Sequence, residues 1–457
     1  MDKLYTWGDY NSMFDYFIKQ FEKNSEKNAI IFEGKNYSYN FLIEEISHNI
    51  SLLKSNKIEV GDVVALVGDF TPTTIAMLFA LIDNKNIIVP LVRNQLKNFE
   101  DKINISNASK IIYINDENNI SFELRNTQKT HEYFATLNRL SVSGLVLFTS
   151  GTSGFPKAAA HNFEKLLFKF STPKIALRTL NFLLFDHWGG LNTMFHTLSN
   201  GGIVLALQSR SVTEVCNAIE KYEVELLPAS PTLLNLLLIS EEYNKYDLSS
   251  LKLITYGSEP MPESTLIKLK NTFPNIKLQQ TYGLIELGVL RSKSKEDGSL
   301  WVKLGGEGFE LRVVENMLEI KAESAMLGYI NAISPFTHDG YFKTGDLVEV
   351  DGDYFKILGR KSELINVGGE KVYPQEVENC ILQFPAVLDV TVFAEKNGLV
   401  GNIVCANVYI QELNDENLLI NEIKKYCKSK LASFKVPVKI KLQNEPLYND
   451  RFKKQRN

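Results

Sequence analysis

From about residue 60 the chain alternates short unbroken apolar runs with amphipathic stretches. "DVVALVG" (62–68) predicts a strand, "TTIAMLFALIDN" (73–84) a helix and "NIIVPLV" (86–92) a strand. "KIIYIN" and "GLVLFTS" predict two more strands. Further on, "NTMFHTLSNGG" predicts a helix ending in glycines, "IVLAL" a strand, "VTEVCNAIEKY" a helix, "VELLPAS" and "LKLITYG" strands, and "ESTLIKLKNTF" a helix. Continuous Val/Ile/Leu runs separated by helices belong to sheets buried on both faces, so the expected fold class is α/β. Past about residue 300 the period changes. "FELRVVENMLEIKA" and "DLVEVDGDYFKILG" alternate as solvent-facing strands do, with Asp351-Gly352 as a type I′ hairpin signal. A new mixed unit follows, with strands at "AVLDVTVFAE" and "GNIVCANVYI" and a helix at "ENLLINEIKKYCKSKLA". The division this predicts is a large N-terminal part over 1–359, a connection at 360–362 and a small C-terminal domain over 363–457.

Composition narrows the field. The 457 residues are 44% hydrophobic and 23% charged with a formal charge of −4, an ordinary globular balance. The one dense cationic cluster is the terminal "RFKKQRN", so no nucleic-acid partner is expected. Cys216, Cys380, Cys405 and Cys427 show no paired spacing, which argues against a metal site or disulfide framework and for reduced thiols. No signal-peptide core and no apolar stretch of about 18 residues is present, so the expectation is a cytoplasmic chain without a membrane span.

The strongest chemical signal is "LFTSGTSGFPKAAAHN" (147–162), a strand run followed by a donor-rich loop ending in lysine. Glycines let backbone N–H groups close on an anion, hydroxyls add donors and the lysine adds charge. The spacing of Gly151, Gly154 and Lys157 is not the Walker pattern G-x-x-x-x-G-K-S/T. The whole string instead resembles the phosphate loop of the adenylate-forming superfamily, which holds acyl- and aryl-CoA synthetases, luciferases and the adenylation domains of nonribosomal peptide synthetases. Thr149 to Lys157 match with Ser153 for threonine, and Ala158 replaces the trailing glycine. "QTYGLIELG" (280–288), "FLLFDHWGGLN" (182–192) and the run "YFKTGDLVEVDGDYFKILGRKSELINVGGEKVYPQEVE" (341–378) resemble further family segments, in the family's order.

That resemblance implies a fold and a reaction. The fold is a large N-terminal domain of two α/β subdomains plus a β-barrel, followed by a small, mobile α+β lid. The reaction joins a carboxylate to ATP, giving an acyl-adenylate and pyrophosphate, and then transfers the acyl group to a thiol. Thr149, Ser150, Gly151, Thr152, Ser153, Gly154 and Lys157 would hold the β- and γ-phosphates. Glu286 would bind Mg²⁺, and Tyr282, beside Thr281 and Gly283, would stack on adenine. Gly257, Ser258, Glu259 and Pro260 resemble the segment lining the adenine and acyl sites. Asp346 would accept both ribose hydroxyls with Arg360 in support. The family lysine that bridges carboxylate and phosphate would be Lys453, spaced to Arg456, or Lys454 under a one-residue shift. Ser362 takes the hinge position, and Gly368 and Gly369 would let a phosphopantetheine arm approach.

His187, with Trp188 behind it, matches the histidine bordering the acyl pocket of acyl-CoA synthetases. Asp186 keeps an amino-acid substrate open, because an aspartate near this point holds the α-amino group in amino-acid-activating relatives. The substrate expected is a small non-amino carboxylic acid, with CoA or a carrier protein's phosphopantetheine as acceptor. One departure matters: Ile285 stands where the family has a threonine that touches the α-phosphate. A lost hydrogen bond to a charged partner is worth about 1–3 kcal/mol. Three outcomes are open: Thr281 compensates, adenylation is slow, or the chain is a weakly active nucleotide-binding homologue.

Overall fold

A computed structural model describes residues 12–93, 98–126, 131–149, 155–207, 209–410, 415–448 and 454. The chain divides into two compact units, each assembled from separated segments. One comprises Met1–Pro228, Gly283–Val289 and Ala322–Pro335; the other comprises Ala229–Tyr282, Leu290–Lys321 and Phe336–Asn457.

The first unit is built on two sheets. A seven-stranded sheet runs in the order Gly328–Tyr329, Lys157–Asn162, Gly144–Thr149, Ile87–Val92, Val63–Gly68, Lys110–Ile114 and Ile120–Leu124. Its central strands are parallel, and Val63–Gly68 and Ile87–Val92 are buried at every position, as their unbroken apolar sequences require. The second sheet orders Leu226–Ala229, Arg178–Leu180, Ile203–Ala206, Asn28–Phe32 and Lys35–Ser38. Between them lies the helix Pro72–Asp83, begun by the Thr71 side chain and Pro72 and buried from Pro72 to Ile82. A helix apolar all round belongs inside a core. Phe79 packs there with Phe17, Phe21 and Phe195, at ring separations of 5.2–5.5 Å.

In the second unit Leu253–Tyr256 and Lys277–Gln280 pair in parallel, with the helices Pro231–Ser240 and Glu263–Thr272 beside them in sequence. The region expected to form a barrel is a six-stranded antiparallel sheet ordered Arg291–Ser294, Trp301–Gly305, Tyr354–Arg360, Phe342–Asp351, Met317–Ala322 and Phe309–Val314. Its hairpin closes at Asp351 opposite Tyr354, so the turn is Gly352-Asp353, one residue past the predicted signal. Only Gly352 has a positive φ, +58°, the type II′ pattern rather than I′. The C-terminal sheet takes Glu370–Val372, Ile365–Val367, Gly401–Ile410 and Val387–Asn397, with Lys439–Gln443 parallel to Gly401–Ile410. Pro374–Ile381 and Glu416–Lys430 cover its apolar face through Val377, Ile381, Ile423 and Cys427.

The mixed α/β architecture is therefore the one expected. All four cysteines are buried and none is in a disulfide. Among the described residues no helix is long and apolar enough to cross a membrane.

Candidate functional site

In the first unit the expected phosphate loop is closed by an antiparallel pair. Gly144–Thr149 runs against Lys157–Asn162, with Thr149 opposite Lys157. Ser150, Gly151, Thr152, Ser153 and Gly154 lie outside the described residues. Lys157 carries the cation at the start of the returning strand. Its main chain is gripped on both sides by one side chain: Asn331 Nδ2 donates to the carbonyl of Pro156 at 2.9 Å, and Asn331 Oδ1 accepts from the N–H of Ala158 at 2.9 Å.

Glu286 sits at the tip of a tight hairpin in which Leu284 faces Gly288. The residue is 9% exposed; its carboxylate accepts from the Tyr329 hydroxyl at 2.5 Å, while its carbonyl accepts from Met326 N–H at 2.8 Å. The Tyr329 ring lies 5.5 Å from Lys157 Nζ. Register explains this meeting. Tyr329 is opposite Ala159, and Lys157 and Ala159 share a face of their strand, so lysine and tyrosine are diagonal neighbours. Ile285 packs against the apolar core, so the position where the family has a hydroxyl is spent on packing here.

His187 has a defined local duty. Its Nδ1 accepts from Gly189 N–H at 3.0 Å and caps the helix Trp188–Ser199. Trp188 is 2% exposed and meets the Phe163 ring edge-on at 6.4 Å. Asp186 is buried, with Lys102 Nζ 3.6 Å from its Oδ2. Asn192 holds Lys169, whose ammonium also donates to the carbonyl of Val289 at 2.8 Å.

The second unit gathers the expected nucleoside residues. Asp346 and Arg360 are directly opposite on adjacent strands, and Arg360 Nε is 2.7 Å from Asp346 Oδ1. The other oxygen of Asp346 accepts from Tyr282 Oη at 2.6 Å. Thr344 fixes the carboxylate's backbone, its hydroxyl accepting from Asp346 N–H at 3.0 Å. Burial pushes the Asp346 carboxyl up from the ordinary aspartate range, while Arg360 and the Tyr282 hydroxyl pull it back; the net direction is upward. Burial, with the Asp346 charge added, drives the Tyr282 phenol well above its usual value.

Those shifts carry a pH prediction. In its expected role Asp346 would accept two ribose hydroxyls only as a carboxylate, so AMP affinity is expected to fall on acidification from a higher pH than an ordinary aspartate would set. Titration calorimetry of AMP across the acid range checks this, and Asp346→Asn flattens the profile. For stability the sign is reversed. A folded-state pKa above the unfolded one gives a contribution complete below the unfolded pKa and lost as pH rises through the folded one.

The segment Gly257–Pro260 follows the strand Leu253–Tyr256. A Cβ on Gly257 would stand 2.5 Å from Thr281 Oγ1 and 2.7 Å from its carbonyl oxygen, so only glycine lets the two strand ends approach. Ser258 adopts φ +70°, a left-handed conformation rare outside glycine. Pro260 is half-buried. Glu259 is a tie point: its Oε2 accepts from Thr232 at 2.7 Å and its Oε1 from the main-chain N–H of Lys454 at 2.8 Å. The Thr281 hydroxyl donates to the carbonyl of Tyr256 at 3.1 Å.

The two candidate lysines fare differently. Lys453 lies outside the described residues. Lys454 is 11% exposed, with Nζ 2.7 Å from Asp389 Oδ1 and 3.1 Å from the carbonyl of Val390. Burial alone would lower its pKa, but Asp389, Glu378 and Glu259 outweigh that and hold it raised. Gly368 and Gly369 have φ of +59° and +95° with open space around them, so the backbone conformation rather than packing selects glycine.

Sequence reasoning missed Tyr329, Asn331, Asp389 and Glu378 as partners. "MLGYIN" carries no periodic signal, since its strand is only Gly328–Tyr329. Glu378 closes the "YPQEVE" run, and its carboxylate accepts from Val392 N–H at 2.9 Å.

Comparison with known proteins identifies the family. Residues 17–318 match the AMP-binding enzyme family and residues 376–451 match the AMP-binding enzyme C-terminal domain. The chain is 25% identical over 457 residues to a 2-succinylbenzoate–CoA ligase of Listeria innocua, covering 94% of this chain and 95% of that one. It is 29% identical over 326 residues to a 2-succinylbenzoate–CoA ligase of Bacillus subtilis, with 66% of this chain and 65% of the relative, just under two thirds, covered. Among solved structures, the anthranilate CoA ligase AuaEII in complex with anthranoyl-AMP superposes with a TM-score of 0.83 at 19% identity, over 98% of this chain and 96% of that one. The chain belongs to the AMP-binding enzyme family.

Proposed function

We propose that the protein is an acid–thiol ligase that activates a carboxylic acid with ATP, releases pyrophosphate and passes the acyl group to CoA. The observation that carries this reading is the bonded cluster of Tyr282, Asp346 and Arg360, in a chain that matches the AMP-binding family from residue 17. A buried carboxylate opposite an arginine is suited to paired hydroxyls, and the adjacent phenol ring is suited to a base.

In the activating step an anionic carboxylate attacks an anionic α-phosphate, so the protein must neutralise charge and align the partners. Lys157 contacts the distal phosphates, and Asp346 with Arg360 fixes the ribose. Glu286 suits Mg²⁺: the ion keeps several waters and phosphate oxygens and needs only one or two protein carboxylates. When bound, Mg²⁺ would neutralise charge on the phosphates. Lys453 bridges carboxylate and phosphate. Rotation of a lid over 363–457 about residues 360–362, Ser362 included, then brings Gly368 and Gly369 toward the thiol-bearing arm.

The 2-succinylbenzoate and anthranilate ligases that the chain resembles are named for aryl acids, and an aromatic or aliphatic non-amino acid is the substrate class. The Lys102–Asp186 pair supports this, because an aspartate already buried against a lysine is poorly suited to an α-ammonium. Four cysteines, none in a disulfide, fit action in a reducing, cytoplasmic setting. The test is pyrophosphate release with a panel of acids, with and without CoA. Acid-dependent release with a thioester product when CoA is present is the expected result. Release without transfer to CoA would move the acceptor to a carrier protein. No release with any acid would leave only a nucleotide-binding role and sink the ligase reading.

A further inference from the structure

We propose that the segment Ser324–Asn331 is a positioning element that couples Lys157 to Glu286, with Tyr329 as its central residue; this rests on the ligase reading above. Lys157 and Glu286 belong to separate stretches of chain, 129 positions apart. The strand that bears the lysine begins where the loop ends, and the glutamate sits at a hairpin tip. Neither main chain fixes the spacing between ammonium and carboxylate.

The 324–331 segment bonds both. On the lysine side, Leu327 and Ile330 donate main-chain N–H groups to the carbonyls of Ala160 and Ala158, each at 2.8 Å. Asn331 then grips the peptide groups on either side of Lys157. On the glutamate side, Met326 N–H holds the carbonyl of Glu286, and the Ser324 hydroxyl donates to the carbonyl of Leu287 at 2.7 Å. Tyr329 reaches both functional groups, its hydroxyl on Glu286 Oε1 and its ring face toward Lys157 Nζ. A hydrogen bond to one carboxylate oxygen orients the other, as outer partners of metal-binding groups do. The ring offers the ammonium a resting place that competes only weakly with phosphate. Tyr329 thereby acts through its neighbours and is a positioning residue.

Tyr329→Phe separates the two contacts: it deletes the hydroxyl and keeps the ring. Calorimetric binding of ATP to the whole protein is measured with and without Mg²⁺, beside pyrophosphate release as a function of Mg²⁺. The expected result is about a tenfold rise in the Mg²⁺ concentration for half-maximal release, with metal-free ATP affinity unchanged and an unaltered melting temperature. Asn331→Ala is expected to behave the other way, weakening metal-free ATP binding several-fold because Lys157 loses its fixed backbone. If Tyr329→Phe left the Mg²⁺ dependence as in the wild type, or lowered ATP affinity equally with and without metal, the coupling would be overturned while the ligase reading stood. If the wild type bound no ATP at all, both would fall together.

Discussion

Lys454→Met is expected to cost stability, and Lys453→Met to cost adenylation. Lys454 is enclosed, its ammonium shared between Asp389 and the carbonyl of Val390 and its own N–H given to Glu259. Removing one partner of a buried pair leaves the other charge uncompensated, a loss of about 3–5 kcal/mol. For a unit of this size that is a fall in melting temperature of about 10 °C, readable by calorimetry. The double variant Lys454→Met/Asp389→Asn recovers part of it, because no naked carboxylate remains. Lys453→Met, by contrast, keeps the melting temperature and slows pyrophosphate release by about 10²–10³-fold, the range for losing one preorganised charge at a reacting centre. The reverse pattern, with Lys454→Met stable and inactive, would transfer the bridging role to Lys454.

Glu286→Gln carries the second large effect. The amide can still accept from Tyr329, so shape and hydrogen bond survive and only the charge is lost. Acid-dependent pyrophosphate release should drop by on the order of 100-fold at fixed Mg²⁺, and excess Mg²⁺ should recover a portion of it. An unchanged rate across the whole Mg²⁺ titration would remove Glu286 from the metal role.

Some of this was legible in the order of residues. Gly144–Thr149 was recoverable because an apolar run stops at a glycine-rich loop. Its partner Lys157–Asn162 was not: "KAAAHN" has weak strand preference, and its conformation comes from pairing on both edges, with Gly144–Thr149 and Gly328–Tyr329. The helix at Trp188–Ser199 starts four residues before the predicted 192 because His187 caps it. Its glycines mislead in the same way. Gly190 looks like a turn residue, yet a Cβ there would stand 2.3 Å from the carbonyl of Leu184, so close packing selects it.

Asp346 and Arg360 stood out as motif residues, but their bond depends on hairpin register, which the displaced Gly352 turn and a register shift between Leu347 and Val348 set together. The Asn331 contacts with Pro156 and Ala158 span 175 and 173 positions, and no local pattern encodes them. Motifs marked the groups expected to touch substrate; the groups that hold them in place emerged only with tertiary pairing.

The burial of Cys216, Cys380, Cys405 and Cys427 has a practical consequence. A sulfhydryl reagent such as a disulfide chromophore attacks thiolates that solvent can reach, so the native chain should be silent toward it. Consumption of free CoA could then be followed colorimetrically in the same cuvette without background from the catalyst. The same silence, once broken, would time the opening of the interior.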